Sequence, residues 1–310
     1  MKIVINPKYE FLKDFITGLP ERFPEEGIII YNERNVLKSY QVQGVNLVVK
    51  SFRVPIFINR IAYSFFRKSK ASRSYEYGMG ILERGSSTPE PIAYIEEYKC
   101  GLLNRSYYCC INEADAMTVR SFMDGSNLQA DDLLRSFVRF TASLHQAGIL
   151  HIDYSPGNIL VKKTADGEYA FTVIDINRLR FQEVSTENAL RNFDRLALSP
   201  EVSTRLAGMY AECCSLDREE TIRKINEYSD RFFFKRTMKE AIKSVKRKKG
   251  KFRSLFGPVQ FYLLLLRIRL LLGGGSHGIL YRKERELYLN YIYPVDERKV
   301  LDRKFHYSLS

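Results

Sequence analysis

Two short segments in the middle of the chain carry oxygen-bearing side chains at a spacing suited to phosphoryl transfer. The first, HIDYSPGNIL at residues 151–160, contains Asp153 and Asn158, and the second, VIDINR at residues 173–178, contains Asp175. Phosphoryl transfer needs a carboxylate that orients the attacking hydroxyl and hard oxygen ligands for a metal ion that neutralises phosphate charge. We therefore predict that Asp153 orients or deprotonates the acceptor, and that Asn158 and Asp175 supply ligands to Mg²⁺.

Two charged residues earlier in the chain complete the candidate site. Lys50 follows the run Leu47–Val49, which places its ammonium group at the end of a predicted buried strand. There Lys50 can hold the α- and β-phosphates of a nucleotide, with Glu76, on a helix predicted over residues 70–84, fixing the ammonium group. Glu83 lies seven residues further on, near the same helix face, and is the alternative to Glu76.

The elements that must position these residues are read from hydrophobic periodicity and from turn residues. The predicted strands span residues 28–31, 36–42, 47–50, 92–97, 107–111, 158–162 and 169–174, and the predicted helices span residues 70–84 and 131–147. The Gln43-Gly44 pair is expected to reverse the chain between two strands, and Gly148 is expected to end the second helix. A mostly β first third therefore precedes a mostly helical remainder, which predicts an α+β fold.

Composition excludes a collagen-like, a wholly disordered and a disulfide-scaffold chain. The chain has 310 residues, 45% of them hydrophobic and 27% charged, which is typical of a folded globular protein. Its 49 Lys and Arg against 36 Asp and Glu leave a net charge of +13, which favours phosphate-bearing partners such as nucleic acid, anionic lipid or phosphorylated sugar. Five cysteines without a CxxC spacing fit a reduced, cytoplasmic compartment, and we find no secretory signal.

The motif set resembles the protein-kinase fold, with its strand Lys, helix Glu, HxDxxxxN loop and metal-binding Asp. More narrowly, over roughly residues 30–200, the chain resembles the lipopolysaccharide kinase (Kdo/WaaP) family. That resemblance is carried by RSYEYGMGILERGSSTPEPIAYIE at residues 73–96, by the HIDYSPGNIL loop, and by an Asp-x-Asn-Arg sequence in place of Asp-Phe-Gly.

The resemblance implies a two-lobed protein-kinase-like fold. Residues 1–113 would form a small antiparallel N-lobe with one helix, and residues 114–310 a mostly helical C-lobe that contains the catalytic loop. It implies an ATP- and Mg²⁺-dependent kinase that phosphorylates a sugar hydroxyl of the lipopolysaccharide inner core, on Kdo or heptose. The expected partner is therefore lipopolysaccharide core or a lipid-linked sugar acceptor.

The sequence departs from the protein-kinase pattern at several positions. The turn at residues 32–35 has no GxGxxG, so it must cover the phosphates through backbone amides or through Arg34. Glu113 and Asp115, at the predicted lobe boundary, are further candidates for cofactor binding. Ser155 stands where protein Ser/Thr kinases have Lys, and no Ala-Pro-Glu follows, so protein substrates are not expected.

Three nearby residues have open or supporting roles. We expect His151 to bond backbone near the metal-binding turn rather than to act as the base. Arg178 pairs either with a phosphate or with a helix carboxylate. Asp194 either binds the backbone of the catalytic loop or is a solvated surface acid.

Two other functions are also consistent with the sequence. One is an atypical small kinase of the RNA-modification or ribosome-assembly type, although no aromatic-interleaved RNA motif supports nucleic-acid binding. The other is a pseudokinase that serves as a binding module, which the missing Gly-rich loop suggests.

The C-terminal segment 243–272 joins a basic run to an apolar one. Residues 243–253 hold seven basic side chains, and residues 261–272 are apolar except for Arg267 and Arg269. This pattern predicts peripheral contact with an anionic membrane surface, on the inner face of the cytoplasmic membrane. A solvated helix face followed by a buried core helix is the alternative.

Overall fold

The fold is described here from a computed structural model. It describes residues 1–55, 57–120, 131–196, 198 and 200–247. The chain divides into two compact units, Met1–Val184 and Ser185–Ser310. The lobe boundary predicted at residue 113 falls within the first unit and stays a prediction.

The described residues form an α+β fold, as the sequence predicts. The strands are β1 (Lys2–Ile5), β2 (Ile28–Asn32), β3 (Val36–Val42), β4 (Val45–Phe52), β5 (Pro91–Lys99), β6 (Leu102–Ile111), β7 (Met117–Thr118), β8 (Ile149–His151), β9 (Ile159–Lys163), β10 (Tyr169–Val173) and β11 (Leu179–Phe181). The helices are α1 (Lys13–Arg22), α2 (Phe57–Phe65), α3 (Lys70–Glu83), α4 (Asp131–Gln146), α5 (Thr186–Arg191), α6 (Pro200–Cys214) and α7 (Arg218–Arg247). The sequence analysis did not predict β1, β7, β8, β11, α1 or α2, and it gave no bounds for α5, α6 or α7.

An antiparallel sheet dominates the first unit. Within the described residues its order is β1-β5-β6-β4-β3-β2. The predicted reversal between β3 and β4 is confirmed, because Gln43 and Gly44 both have positive φ, 47° and 81°. Two residues of this kind form the tight hairpin turn whose twist matches that of the strands. The hairpin places Lys50 of β4 opposite Leu37 of β3 and Tyr108 of β6.

Helices cover both faces of this sheet. Because side chains alternate along a strand, Leu47 and Val49 of β4 point to one face, where they share a core with α1. Phe52 points to the other face, where it packs with Ala71 of α3. Lys50 has the same parity as Phe52, so the pleat directs it to the α3 face.

Small residues let α3 approach the sheet closely. Ser69 caps the helix by accepting a hydrogen bond from the Ser72 backbone N–H at 3.0 Å. A Cβ at Gly78 would lie only 2.5 Å from Cγ of Pro91, and one at Gly80 would lie 2.9 Å from the Phe181 ring. The two glycines inside the helix are therefore positions of close contact with β5 and β11.

The catalytic-loop region follows α4. The helix ends at Gln146, and Gly148 just beyond it has a φ of 71°, the left-handed conformation typical of a helix C-terminus, as the sequence predicts. The fully buried Tyr154 places its hydroxyl 2.8 Å from the Thr141 hydroxyl of α4, which fixes the loop to the helix. The loop is also bounded by antiparallel pairing of β8 with β11 and of β9 with β10.

The second unit, as far as it is described, is helical. Its helices α6 and α7 are joined by a 2.8 Å hydrogen bond from the Ser203 hydroxyl to the Asn226 carboxamide. Within the described ranges we find no helix with both the length and the apolar character needed to cross a membrane. The side chains of the predicted membrane-contact segment 243–272 lie outside the described residues.

Candidate active site

Lys50 and Asp175 form the shortest polar contact of the candidate site, although they lie far apart in the sequence. Lys50 Nζ lies 2.6 Å from Asp175 Oδ1, a hydrogen-bonded ion pair between residues 125 positions apart. The side chains of Lys50 and Asp175 are 18% and 36% exposed, so the pair is partly shielded from water. The strand lysine and the predicted metal-binding aspartate therefore share one site.

The backbone at Asp175 holds its carboxylate in place. This residue has a φ of 53°, in the left-handed region that Asp tolerates better than most residues. It joins β10 to a short helical turn at Ile176–Arg178, and Asn177 Nδ2 donates a second hydrogen bond to Oδ1 at 2.8 Å. Burial by itself would raise the pKa of Asp175, but the Lys50 ammonium outweighs it and holds that pKa below its usual value.

His151 is a scaffold between the two loops, as predicted. Its Nδ1 accepts a hydrogen bond from the Asp153 backbone N–H at 3.1 Å, and its Nε2 lies 3.0 Å from the Ile174 carbonyl. These partners require a neutral ring protonated on Nε2. Burial also lowers the pKa of His151, which keeps the ring neutral and unsuited to serve as a cationic group.

Asp153 and Asn158 are linked across the catalytic loop. Asn158 Nδ2 donates to the Asp153 backbone carbonyl at 2.9 Å, and the Asn158 carbonyl in turn accepts from the Ile174 N–H at 2.9 Å. Asp153 Oδ2 lies 3.7 Å from an Arg178 guanidinium nitrogen. Backbone and side-chain bonds therefore connect the HIDYSPGNIL loop to the segment that carries Asp175.

The donor atoms of this site fit a magnesium ion. Asp175 Oδ2 and Asn158 Oδ1 accept no hydrogen bond from the residues that the structure describes, while the other polar atom of each side chain is engaged. One carboxylate and one amide oxygen are the hard ligands with which proteins hold Mg²⁺ when phosphate supplies the rest. No group of three or more His, Cys, Asp and Glu that suits a metal occurs among the described residues.

Lys70 is a cation of this site that the sequence analysis did not single out. It is the first residue of α3 and is half-buried, and its ammonium group forms no hydrogen bond or ion pair within the described ranges. Burial, followed by the charges of Arg34 and Arg178, lowers the pKa of Lys70, whereas the Asp175 charge acts in the opposite direction. Such a concentration of positive charge is what a polyphosphate requires. The signal available in sequence was only its place next to the Ser69 helix cap.

Glu76 lies away from Lys50. Its carboxylate pairs with Lys68 at 2.7 Å and accepts a hydrogen bond from the Ser72 hydroxyl at 3.2 Å, so in this structure the partner of Lys50 is Asp175. The buried residues of α3 include Ser72 and Gly80, which lie four residues on either side of Glu76. Glu76 therefore shares a row with buried residues, and it is the contacts with Lys68 and Ser72 that engage its carboxylate. The alternative, Glu83, is exposed at the end of the helix.

The other candidate cofactor residues lie at the edges of the site. Arg34 is exposed in the β2–β3 turn, close enough for its charge to act on Lys70. Glu113 forms an ion pair with Lys162 of β9 at 3.0 Å, and Asp115 is exposed two residues later. Their predicted roles in cofactor binding stay predictions.

Asp194 belongs to the second unit. Burial raises its pKa to about 6, against the opposing charges of Arg195 and Arg191. The choice between a structural and a solvated role for Asp194 stays open.

Part of the candidate site falls within a region similar to a kinase family. Residues 114–210 match the model of the lipopolysaccharide kinase (Kdo/WaaP) family, and this span includes Asp153, Asn158 and Asp175. No curated protein sequence matches the chain at a significant level.

A solved structure has a similar fold. A structure of WaaP in complex with acyl carrier protein is 16% identical, with a TM-score of 0.51, and the match covers 75% of this chain and 99% of that one. A crystal structure of WbdD is 15% identical, with a TM-score of 0.42 over 64% of this chain and 49% of that one.

These comparisons confirm the predicted resemblance and the protein-kinase-like α+β fold. The family matched over residues 114–210 consists of lipopolysaccharide kinases, which are phosphotransferases with an alcohol group as acceptor, and the chain is similar to them over that span.

Proposed function

We propose that the chain transfers the γ-phosphoryl group of ATP, with Mg²⁺, to a hydroxyl group of a Kdo or heptose residue in the lipopolysaccharide inner core. The observation that supports this most is the contact of Lys50 with Asp175 at the end of a segment bonded to the Asp153–Asn158 loop. A lysine, two acids and an amide brought together from such distant positions match the needs of phosphoryl transfer.

The positively charged side chains of the site would bind the phosphates of ATP. Lys50 would hold the α- and β-phosphates, and Lys70 would add a second ammonium group on the same side of the site, with Arg34 above them in the β2–β3 turn. Asn158 Oδ1 and Asp175 Oδ2 would hold Mg²⁺, which when bound neutralises charge on the phosphate oxygens. On nucleotide binding, Lys50 would exchange its Asp175 contact for phosphate oxygens and so release that carboxylate for the metal.

Asp153 would act on the acceptor. Its carboxylate is 29% exposed and can accept a hydrogen bond from a sugar hydroxyl, which orients that oxygen toward the γ-phosphorus. As the new O–P bond forms, the bond from the γ-phosphorus to the β–γ bridging oxygen breaks and ADP leaves with the electron pair. The hydroxyl proton passes to Asp153 and then to solvent. Arg178, beside Asp153, would bind an anionic group of the acceptor or the transferred phosphoryl group.

Because the proposed acceptor is built from lipid-linked sugars, the protein would act at the cytoplasmic side of the membrane, where those sugars are made. The net charge of +13 supports binding to a substrate rich in phosphate and carboxylate groups. The basic and apolar segment 243–272 would hold the protein peripherally on that surface.

The decisive experiment uses purified protein, ATP, Mg²⁺ and core oligosaccharide lacking phosphate. Mass spectrometry should detect a mass gain of one phosphate on a Kdo or heptose with the wild type. No such mass gain should appear with Asp153→Ala. The control variant, Asp166→Ala, removes an acid in the β9–β10 turn and should retain activity. Nucleotide binding without transfer by the wild type would favour a pseudokinase, and phosphorylation of RNA-associated protein instead of sugar would favour the other rival.

A further inference from the structure

The connection between β4 and α3 is strongly basic. Residues 53–75 contain six Lys and Arg and no Asp or Glu, although the whole chain has 36 acidic residues. Helix α2 lies within this connection, and the segment ends in the first turns of α3. Such a run of positive charge without acidic residues of its own points to an anionic surface as its partner.

Helix α2 is fixed to the sheet on one side. Arg60 Nε donates to the Leu103 carbonyl at 2.8 Å, and the Leu103 N–H donates to the Ser64 hydroxyl at 2.8 Å. These two bonds join the helix to the beginning of β6. The end of α2 is therefore held by the fold rather than left to move with a loop.

Two aromatic side chains project from that fixed end. Phe65 is 67% exposed and Phe66 is 82% exposed, and their ring centroids are 6.5 Å apart. Full burial of a Phe side chain is favourable by about 1.5–3 kcal/mol, so two neighbouring exposed rings leave a large apolar area without a partner. Single exposed apolar residues are ordinary, but an adjacent pair at the end of a helix in a basic segment is not.

Two exposed cations, Arg67 and Lys68, follow the rings directly. Lys68 pairs with Glu76, whereas the Arg67 side chain forms no ion pair or hydrogen bond with any residue that the structure describes. Exposed apolar rings next to an exposed cation combine the two interactions that hold proteins on anionic membranes, ring insertion and attraction to lipid headgroups.

We propose that Phe65 and Phe66, with the exposed side chains of Arg67 and Lys68, form a contact face for a membrane surface of anionic lipids. A bilayer fits this face because two exposed rings beside an exposed cation, in a stretch of chain without acidic residues, combine ring insertion with attraction to anionic headgroups. The same segment leads into α3, whose first residue, Lys70, lies by the candidate site. If the proposed function is correct, this face also brings the site to the surface that holds its acceptor.

The test is a spectroscopic measurement on the full-length chain. Phe66→Cys, with exposed Cys100 and Cys213 replaced by Ser, is labelled with an environment-sensitive fluorophore and mixed with vesicles of phosphatidylcholine and phosphatidylglycerol. The emission maximum should shift to shorter wavelength, and quenchers located within the bilayer should reduce the fluorescence intensity. Phe11→Cys in the same background is the matched control, because Phe11 is also exposed, at 52%, but lies outside the basic segment. Its emission should not change.

Binding is measured separately by sedimentation with the same vesicles. Phe65→Ser/Phe66→Ser should weaken binding by about 10-fold or more, Arg67→Gln by about 5-fold, and Phe11→Ser not at all. Because segment 243–272 is a second proposed anchor, sedimentation is repeated with its basic residues 243–253 replaced by Gln.

An unchanged emission at position 66, or an equal shift at position 11, overturns the proposal. Loss of binding to a purified acidic protein on Phe65→Ser/Phe66→Ser, with vesicle binding unaffected, would assign the face to a protein partner. None of these measurements depends on phosphoryl transfer, so failure here is distinct from failure of the proposed function.

Discussion

Replacing Lys50 with Met removes the cationic partner of a carboxylate that is mostly shielded from water. At 2.6 Å, two unit charges attract by about 6 kcal/mol if the effective dielectric constant is about 20. Removal of both groups from water offsets most of that, and Asp175 remains 36% exposed, so solvent screens the pair further. We expect a coupling free energy between Lys50 and Asp175 of about 1–2 kcal/mol.

The coupling is measured by urea unfolding of the wild type, Lys50→Met, Asp175→Asn and the double variant. Its pH dependence follows from the lowered pKa of Asp175 in the folded chain. Such a group contributes stability that is fully present above its unfolded pKa, about 3.9, and is lost as the pH falls through the lower folded pKa. The coupling should therefore be constant from neutral pH down to about pH 5 and decrease only below about pH 4.

The matched control is the ion pair of Lys68 with Glu76, whose side chains are 65% and 36% exposed. The cycle of Lys68→Met with Glu76→Gln should give a coupling below about 0.5 kcal/mol. If the Lys50 and Asp175 effects are additive within about 0.3 kcal/mol, the ion pair does not stabilise the fold and our reasoning is refuted. Unchanged ATP affinity in Lys50→Met would refute the assignment of Lys50 to the phosphates.

Three further predictions concern single positions. Lys70→Met should weaken ATP binding by about 10-fold in calorimetry without changing the urea midpoint, because the lost ammonium group has no partner among the residues that the structure describes. Lys38→Met should lower the free energy of unfolding by about 2–3 kcal/mol, since its buried ammonium bonds three carbonyls at 2.5–3.2 Å; exposed Lys13→Met is the control. Gly78→Ala should cost about 1–3 kcal/mol in the same assay, because its Cβ would meet Pro91 at 2.5 Å.

The sequence by itself determined the parts of the site that are local. The spacing of Asp153 and Asn158 lies within one loop, and the strands around that loop follow from short apolar runs and turn residues. The scaffold role of His151 was also predictable, because the ring sits two residues from the Asp153 backbone it binds. Interactions between residues so close in the chain depend on local backbone geometry, which residue types largely decide.

Only the tertiary structure decided which charges meet. Lys50 pairs with Asp175, 125 residues away, and not with Glu76, because the Glu76 carboxylate is engaged by Lys68 and by the Ser72 hydroxyl. Helical periodicity gives the spacing of side chains around a helix, but the face that is buried depends on the shape of the surface it packs against. The presence of Lys70 beside the site follows from the same packing, which no local pattern in the sequence records.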